Sequence, residues 1–182
     1  MLALVLVIGC AVGGTVAWLV AKTDPVVNTF TYGDINITLT ETKPENKQAK
    51  IIPGVDIEKN PTVTVKAGSE ACWLFVKVDE ENWPDFKDGD TRKVSYAIAD
   101  SWTALTDVPG VYYREVPAAT ADTDFAILKD NVVTVSNTLT KTEVNTVISI
   151  QPKLTFTAYA IQQAGIDTAA EAWAAANPTT TP

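Results

Sequence analysis

From Asp34 to Thr40 apolar and polar residues alternate, with Ile35, Ile37 and Leu39 set against Asn36, Thr38 and Thr40. Period two is the pattern of a strand with one face in a core. A charged stretch, Glu41 to Lys50, follows, and Ile51-Ile52-Pro53-Gly54 predicts a turn. Alternation returns over Thr62 to Lys66, with Val63 and Val65 inward. After Lys66-Ala67-Gly68-Ser69 comes the strongest strand of the chain. There Cys72, Leu74, Val76 and Val78 share one face and Trp73, Phe75 and Lys77 the other. Apolar residues on both faces predict a central strand, or one whose second face is covered by a helix or loop.

An acidic loop is expected over Asp79 to Asp90, after which Val94, Tyr96 and Ile98 resume the strand pattern. Further strands are expected over Val111 to Val116, Phe125 to Leu128, Val132 to Val135, Val144 to Ile150 and Leu154 to Ile161. One helix stands out near the end. Thr168-Ala-Ala-Glu171 is a capping box, Asp167 adds favourable charge, and Ala169, Ala172, Trp173 and Ala176 recur at helical spacing, so Trp173 should dock on the sheets. Short strands divided by Gly, Pro, Asn and Asp turns describe an all-β fold, an antiparallel β-sandwich or barrel, with one short C-terminal α-helix.

Ahead of the first strand, Leu2 to Ala21 is twenty residues without a charge, and Lys22 is the first ionisable side chain. Such a run belongs in a bilayer or a signal peptide. Thr15 and Ala17 meet the small-x-small requirement of a signal peptidase before Trp18, which favours cleavage near Ala17/Trp18. A retained membrane anchor and acylation at Cys10, in the lipobox-like Val7-Ile8-Gly9-Cys10, are the alternatives. Gly9 and Gly13 match GxxxG, though glycines this dense weaken a membrane helix. The resulting division is 1–17 signal peptide, 18–30 N-terminal segment, 31–177 β-sandwich domain and 178–182 disordered tail.

Composition narrows the chemistry. Fourteen basic against 22 acidic residues give a charge of −8, which argues against a nucleic-acid partner. The chain has no His, which removes the zincin motif, the Ser-His-Asp and Cys-His nucleophiles and the iron facial triad. With Cys10 in the leader, Cys72 is a lone thiol, expected to be a buried small hydrophobe. Asp85, Asp88 and Asp90 are the one candidate Ca²⁺ cluster, without the EF-hand register; the plainer reading is a solvated loop turning at Gly89. No motif locates a carboxylate pair for glycoside hydrolysis. Trp73, Trp83, Trp102 and Tyr112-Tyr113 could present a binding platform, but core or loop anchoring is favoured for each. Asn36-Ile37-Thr38 fits a glycosylation sequon inside an expected strand. No cofactor is expected.

Leader and first strand read together give Gly13-Gly-Thr-Val-Ala17, a spacer, then Asn28-Thr-Phe-Thr-Tyr-Gly-Asp-Ile-Asn-Ile-Thr-Leu39. This resembles the TasA and camelysin-type family, which is exported by a SipW-type signal peptidase. Ala71-Cys-Trp-Leu-Phe-Val-Lys-Val78, and Thr157-Ala-Tyr-Ala-Ile-Gln162 with the Ala172-Trp173 helix behind it, also resemble this group. The spacer from Trp18 to Val27 is longer than the family pattern. The resemblance implies a jelly-roll sandwich and a secreted subunit of cell-surface or biofilm-matrix fibres. It also implies head-to-tail self-assembly in which an N-terminal strand is donated to the next copy. The donated residues would be Trp18, Leu19, Val20, Val26, Val27 and Phe30. Metallopeptidase activity, also ascribed to camelysin-type proteins, is not carried over to a chain without His.

Three functions compete on this reading. A structural fibre subunit leads, with itself and other matrix components as partners and membrane contact only through an uncleaved leader. A surface adhesin using exposed aromatics is second, and an extracellular hydrolase third.

Overall fold

The computed structural model describes residues 34–41 and 51–177. It is mostly antiparallel β-sheet with two short helices. The strands are β1 (Ile37–Glu41), β2 (Ile57–Glu58), β3 (Pro61–Val65), β4 (Cys72–Glu81), β5 (Lys87–Asp88), β6 (Thr91–Arg92), β7 (Val94–Ser95), β8 (Thr103–Ala104), β9 (Val111–Val116), β10 (Thr123–Ala126), β11 (Val132–Val135) and β12 (Lys153–Gln162). The helices are α1 (Lys141–Ile150) and α2 (Ala169–Ala176).

One sheet runs β12-β4-β9-β8, a second β1-β3-β10, and a third β2-β11-β7. The last two are continuous in effect. Lys59 N–H donates to the Asn131 carbonyl at 2.7 Å and Ile127 N–H to the Pro61 carbonyl at 3.0 Å, carrying the β3/β10 ladder into the β2/β11 ladder. Beyond it, Ile98 bridges Leu128 in the same direction as β7 pairs with β11.

The period-two expectations hold where they were strongest. Ile35, Ile37 and Leu39 are buried while Asn36, Thr38 and Thr40 are exposed, and Val63 and Val65 lie fully inside. From β4, Cys72, Leu74, Val76 and Val78 enter a core shared with Val63, Val65, Val133, Val135, Leu154 and Phe156, so the sheets close on one interior. Phe75 on the opposite face of β4 is equally inaccessible. Its cover is α2: the Trp173 ring centroid lies 5.3 Å from Phe75 and 5.2 Å from Tyr159. A second cluster of Trp73, Phe75, Val111, Ala169 and Ala172 thus sits under this helix. Its start is the capping box Thr168/Glu171, as the sequence predicts.

Two expectations are corrected. Residues 144–150 are not a strand but most of α1, a second helix where one was expected. Thr140 is its N-cap, accepting from Glu143 N–H while the Glu143 carboxylate accepts from Thr140 N–H. Local capping therefore overrides the β-branched vocabulary of Val144, Thr146, Val147 and Ile148. Gln151 in the left-handed region (φ 50°) ends the helix ahead of Pro152. The Asp79 to Asp90 segment is not one loop either. β4 continues through Asp79, Glu80 and Glu81 because β12 pairs with it as far as Lys153↔Glu81, and β5 and β6 form a small hairpin at Gly89.

Candidate functional site

Accepting a donated strand requires an edge with free backbone groups, and among the described residues β12 offers the longest. It pairs with β4 over ten residues, and among the described residues its other edge pairs with nothing. β1 is likewise paired on one side only, with β3. A second opening lies on the other side of the core. Among the described residues β10 pairs with β3 alone, and β8 with Leu105 covers only Val111 to Tyr113 of β9, leaving Arg114, Glu115 and Val116 unpaired toward that side. Unpaired backbone N–H and C=O groups in a row are a template for another strand.

Arg114 stands at this second opening. Its position opposite Leu74 in the β4/β9 register directs it to the shared core, between the two sheets. The guanidinium carbon is 4.0 Å from the Phe125 ring centroid and 5.7 Å from that of Trp102. Trp102 is itself fixed across the gap, its indole Nε1 donating to the Ala126 carbonyl at 2.9 Å. Among the described residues Arg114 Nε is buried without a hydrogen-bond partner and no carboxylate pairs with the group. Burial lowers its pKa from the ordinary arginine value with nothing opposing. By contrast Lys59, Lys66, Lys77, Lys87, Arg92, Lys93, Lys129 and Lys153 each hold an acidic partner. No sequence motif marks Arg114; the signal, an isolated basic residue in the run Val-Tyr-Tyr-Arg-Glu-Val, takes meaning only once β10 lies opposite.

The residues singled out from sequence are dispersed. Ala17 and Trp18 at the expected cleavage point, and Trp18, Leu19, Val20, Val26, Val27 and Phe30 of the expected donor strand, lie outside the described residues, as does the 178–182 tail. Asp85 ion-pairs with Arg92 at 3.3 Å and Lys87 at 3.6 Å. Asp88 and Asp90 are exposed on either side of Gly89. Among the described residues no group of three or more acidic or cysteine side chains is placed to hold a metal ion. Trp73 and Trp102 are buried, and Trp83 packs edge-on against Tyr96 with centroids 5.5 Å apart. Tyr112 and Tyr113 are half-buried against the two cores. Cys72 is fully buried and its thiol is pushed up to about 11 by desolvation, which keeps it protonated and unreactive. Among the described residues no helix is long and apolar enough to cross a membrane.

No protein-family model, curated protein or solved structure matches the chain.

Proposed function

We propose that the chain is a secreted structural subunit with a jelly-roll-like β-sandwich that polymerises into extracellular fibres by accepting an N-terminal strand from the next copy. The strand order supports the finer fold reading. Taking β2/β3 and β10/β11 as bent continuous strands and setting aside the β5–β6 hairpin, the eighth, third and sixth of the remaining eight strands are neighbours in one layer and the second, seventh and fourth in the other. That is the interleaving of a jelly roll. The TasA-type leader and first-strand pattern supports secretion and fibre formation.

The single observation that supports the assembly reading is that, among the described residues, β12 and β1 are each paired on one side only. A long edge strand such as β12 invites pairing, and soluble proteins usually block such edges with charge, proline or a bulge. The β12 residues on its core face, Leu154, Phe156, Ala158 and Ala160, are buried and apolar, and no proline or bulge interrupts the strand's ten-residue pairing with β4. Burial of Trp73 and Trp102 removes support from the glycan-binding alternative.

The test is deletion of residues 18–30 from the full chain, with electron microscopy and sedimentation of the product. Soluble, folded protein that forms no fibres is the expected result. Fibres from the deleted chain would refute strand donation.

A further inference from the structure

We propose that the side chains of Lys59 and Asn131 join in a covalent amide bond inside the domain, with Glu41 carrying the protons. Lys59 Nζ adds to Asn131 Cγ, the new C–N bond replaces the bond from Cγ to Nδ2, and ammonia leaves. The bond is internal to the described residues and is independent of strand donation.

The groups converge because of strand order. Lys59 leads into β3, the middle strand of its layer, with β1 on one side and β10/β11 on the other. From β1, Glu41 shares the inner face of Ile37 and Leu39, and its Oε1 lies 2.8 Å from Lys59 Nζ. On the other side, Ile57↔Val133 is a pair of buried residues. The Lys59 N–H bond to the Asn131 carbonyl, at 2.7 Å, carries that register two residues on and sets Lys59 opposite Asn131. Side chains placed so have Cβ atoms roughly 5 Å apart, within the reach of a lysine. Asn131 has φ 56°, which ends the extended register there, yet its side chain still turns inward, because Oδ1 is buried.

The surroundings suit the reaction. Lys59 is 5% exposed, its Nζ is 6.0 Å from the centroid of the wholly buried Phe156 ring, and among the described residues Asn131 Oδ1 has no hydrogen-bond partner. A buried ion pair is a weak source of stability, and a pairing of Lys59 with Glu41 alone leaves that oxygen unexplained. Burial lowers the Lys59 pKa and so favours the neutral, nucleophilic amine. Glu41 takes the ammonium proton along the 2.8 Å hydrogen bond, gives it to the departing nitrogen and recovers one from the attacking nitrogen. Atoms and charge balance without a co-reactant. Fixed neighbours in a site shielded from water supply the proximity that aminolysis of an amide lacks in solution. In the product two buried charges are gone, and the protonated Glu41 can donate to the amide oxygen. The ion pair is the state before the bond closes, and stability comparisons at Lys59 and Glu41 refer to the chain in that state.

The experiment is mass spectrometry of the folded, purified full chain, intact and after proteolysis, with its N-terminus identified. The parent should fall short of its sequence mass by one ammonia and yield a branched peptide joining Lys59 to Asn131. Asn131→Asp should lose one water instead, and Asn131→Ala and Lys59→Met should lose nothing. Glu41→Gln, shown to be folded by thermal melting, should keep its full mass. A folded parent of full mass, or one that loses ammonia without a branch, overturns the proposal, and this result stands even where a variant fails to fold. A branch from Lys59 to Glu41 with loss of water overturns the choice of Asn131. A bond retained in folded Glu41→Gln overturns the role of Glu41.

Discussion

Lys59 Nζ lies 2.8 Å from Glu41 Oε1, a pair whose side chains are 5% and 12% exposed, and it ties the β2–β3 junction to the end of β1. Desolvation lowers the Lys59 pKa, and only Glu41, through its charge and hydrogen bond, opposes that shift. Removing the acid leaves the ammonium buried and uncompensated. Glu41→Gln should therefore cost about 3 kcal/mol in urea denaturation, whereas replacing both, Lys59→Met with Glu41→Leu, should leave stability at or above the parent. A Glu41→Gln variant as stable as the parent would mean that water reaches the ammonium and screens it.

Gly110 is fixed by a close approach and by its torsion. Its φ is 76°, and a Cβ there would sit 2.8 Å from the Val78 carbonyl oxygen, a backbone atom of β4 that cannot move aside. The Gly110 carbonyl also accepts from Val78 N–H at 2.8 Å. Gly110→Ala should thus cost about 2 kcal/mol or more, by strain added to the left-handed penalty. Gly89 has φ 61° but open space around its Cβ position, so Gly89→Ala should cost only about 1 kcal/mol. Thermal melts of the two variants would separate contact from torsion; equal losses would leave torsion alone as the cause.

The contrast between what was legible and what was not follows from the range of the forces. Ile35, Ile37, Leu39, Val63, Val65 and the faces of β4 could be read because burial imposes period two on one strand at a time. A cover over the second apolar face of β4 and the docking of Trp173 on the sheets could each be anticipated, but that they are one contact, Trp173 on Phe75, could not. Residues 144–150 were misread because Val and Ile suit a strand, while the deciding Thr140/Glu143 box precedes the apolar run. β8 has two residues and no pattern of its own; it exists because β9 lies beside it. Arg114 is of the same kind, since its isolation depends on Phe125 and Trp102 arriving from distant parts of the chain.

The docking of α2 can be tested directly. Trp173 meets both Phe75 and Tyr159, while Ala169 and Ala172 are the only residues of this helix that are buried. A helix of eight residues has little stability of its own in water, so packing must hold it. Trp173→Ala is expected to cost about 2–3 kcal/mol and to accelerate amide exchange through residues 169–176 ahead of the sheets. Loss of protection spread evenly over β4 and β12 would show instead that the helix and sheet open as one unit.

The last prediction concerns alkaline pH. Cys72 is wholly buried, and its folded pKa is raised from 9.0 to about 11 by desolvation. A raised folded pKa gives stability that is complete below the unfolded value and is lost as pH rises, because the unfolded chain releases its proton first. The window is therefore pH 9 to 11, and a shift of two units corresponds to at most about 2.7 kcal/mol. Tyr96 is shifted upward too, mainly by desolvation and then by its hydrogen bond to Glu80, and acts in the same direction. Lys59, shifted downward, acts in the opposite one, since a folded state that binds fewer protons gains stability as pH rises toward 10.5. Cys72→Ala isolates the thiol from both. The variant is expected to be less stable than the parent at pH 8 through lost packing, and to lose less stability than the parent between pH 9 and 11. Parallel pH profiles for the two proteins would show that the thiolate is accommodated without unfolding.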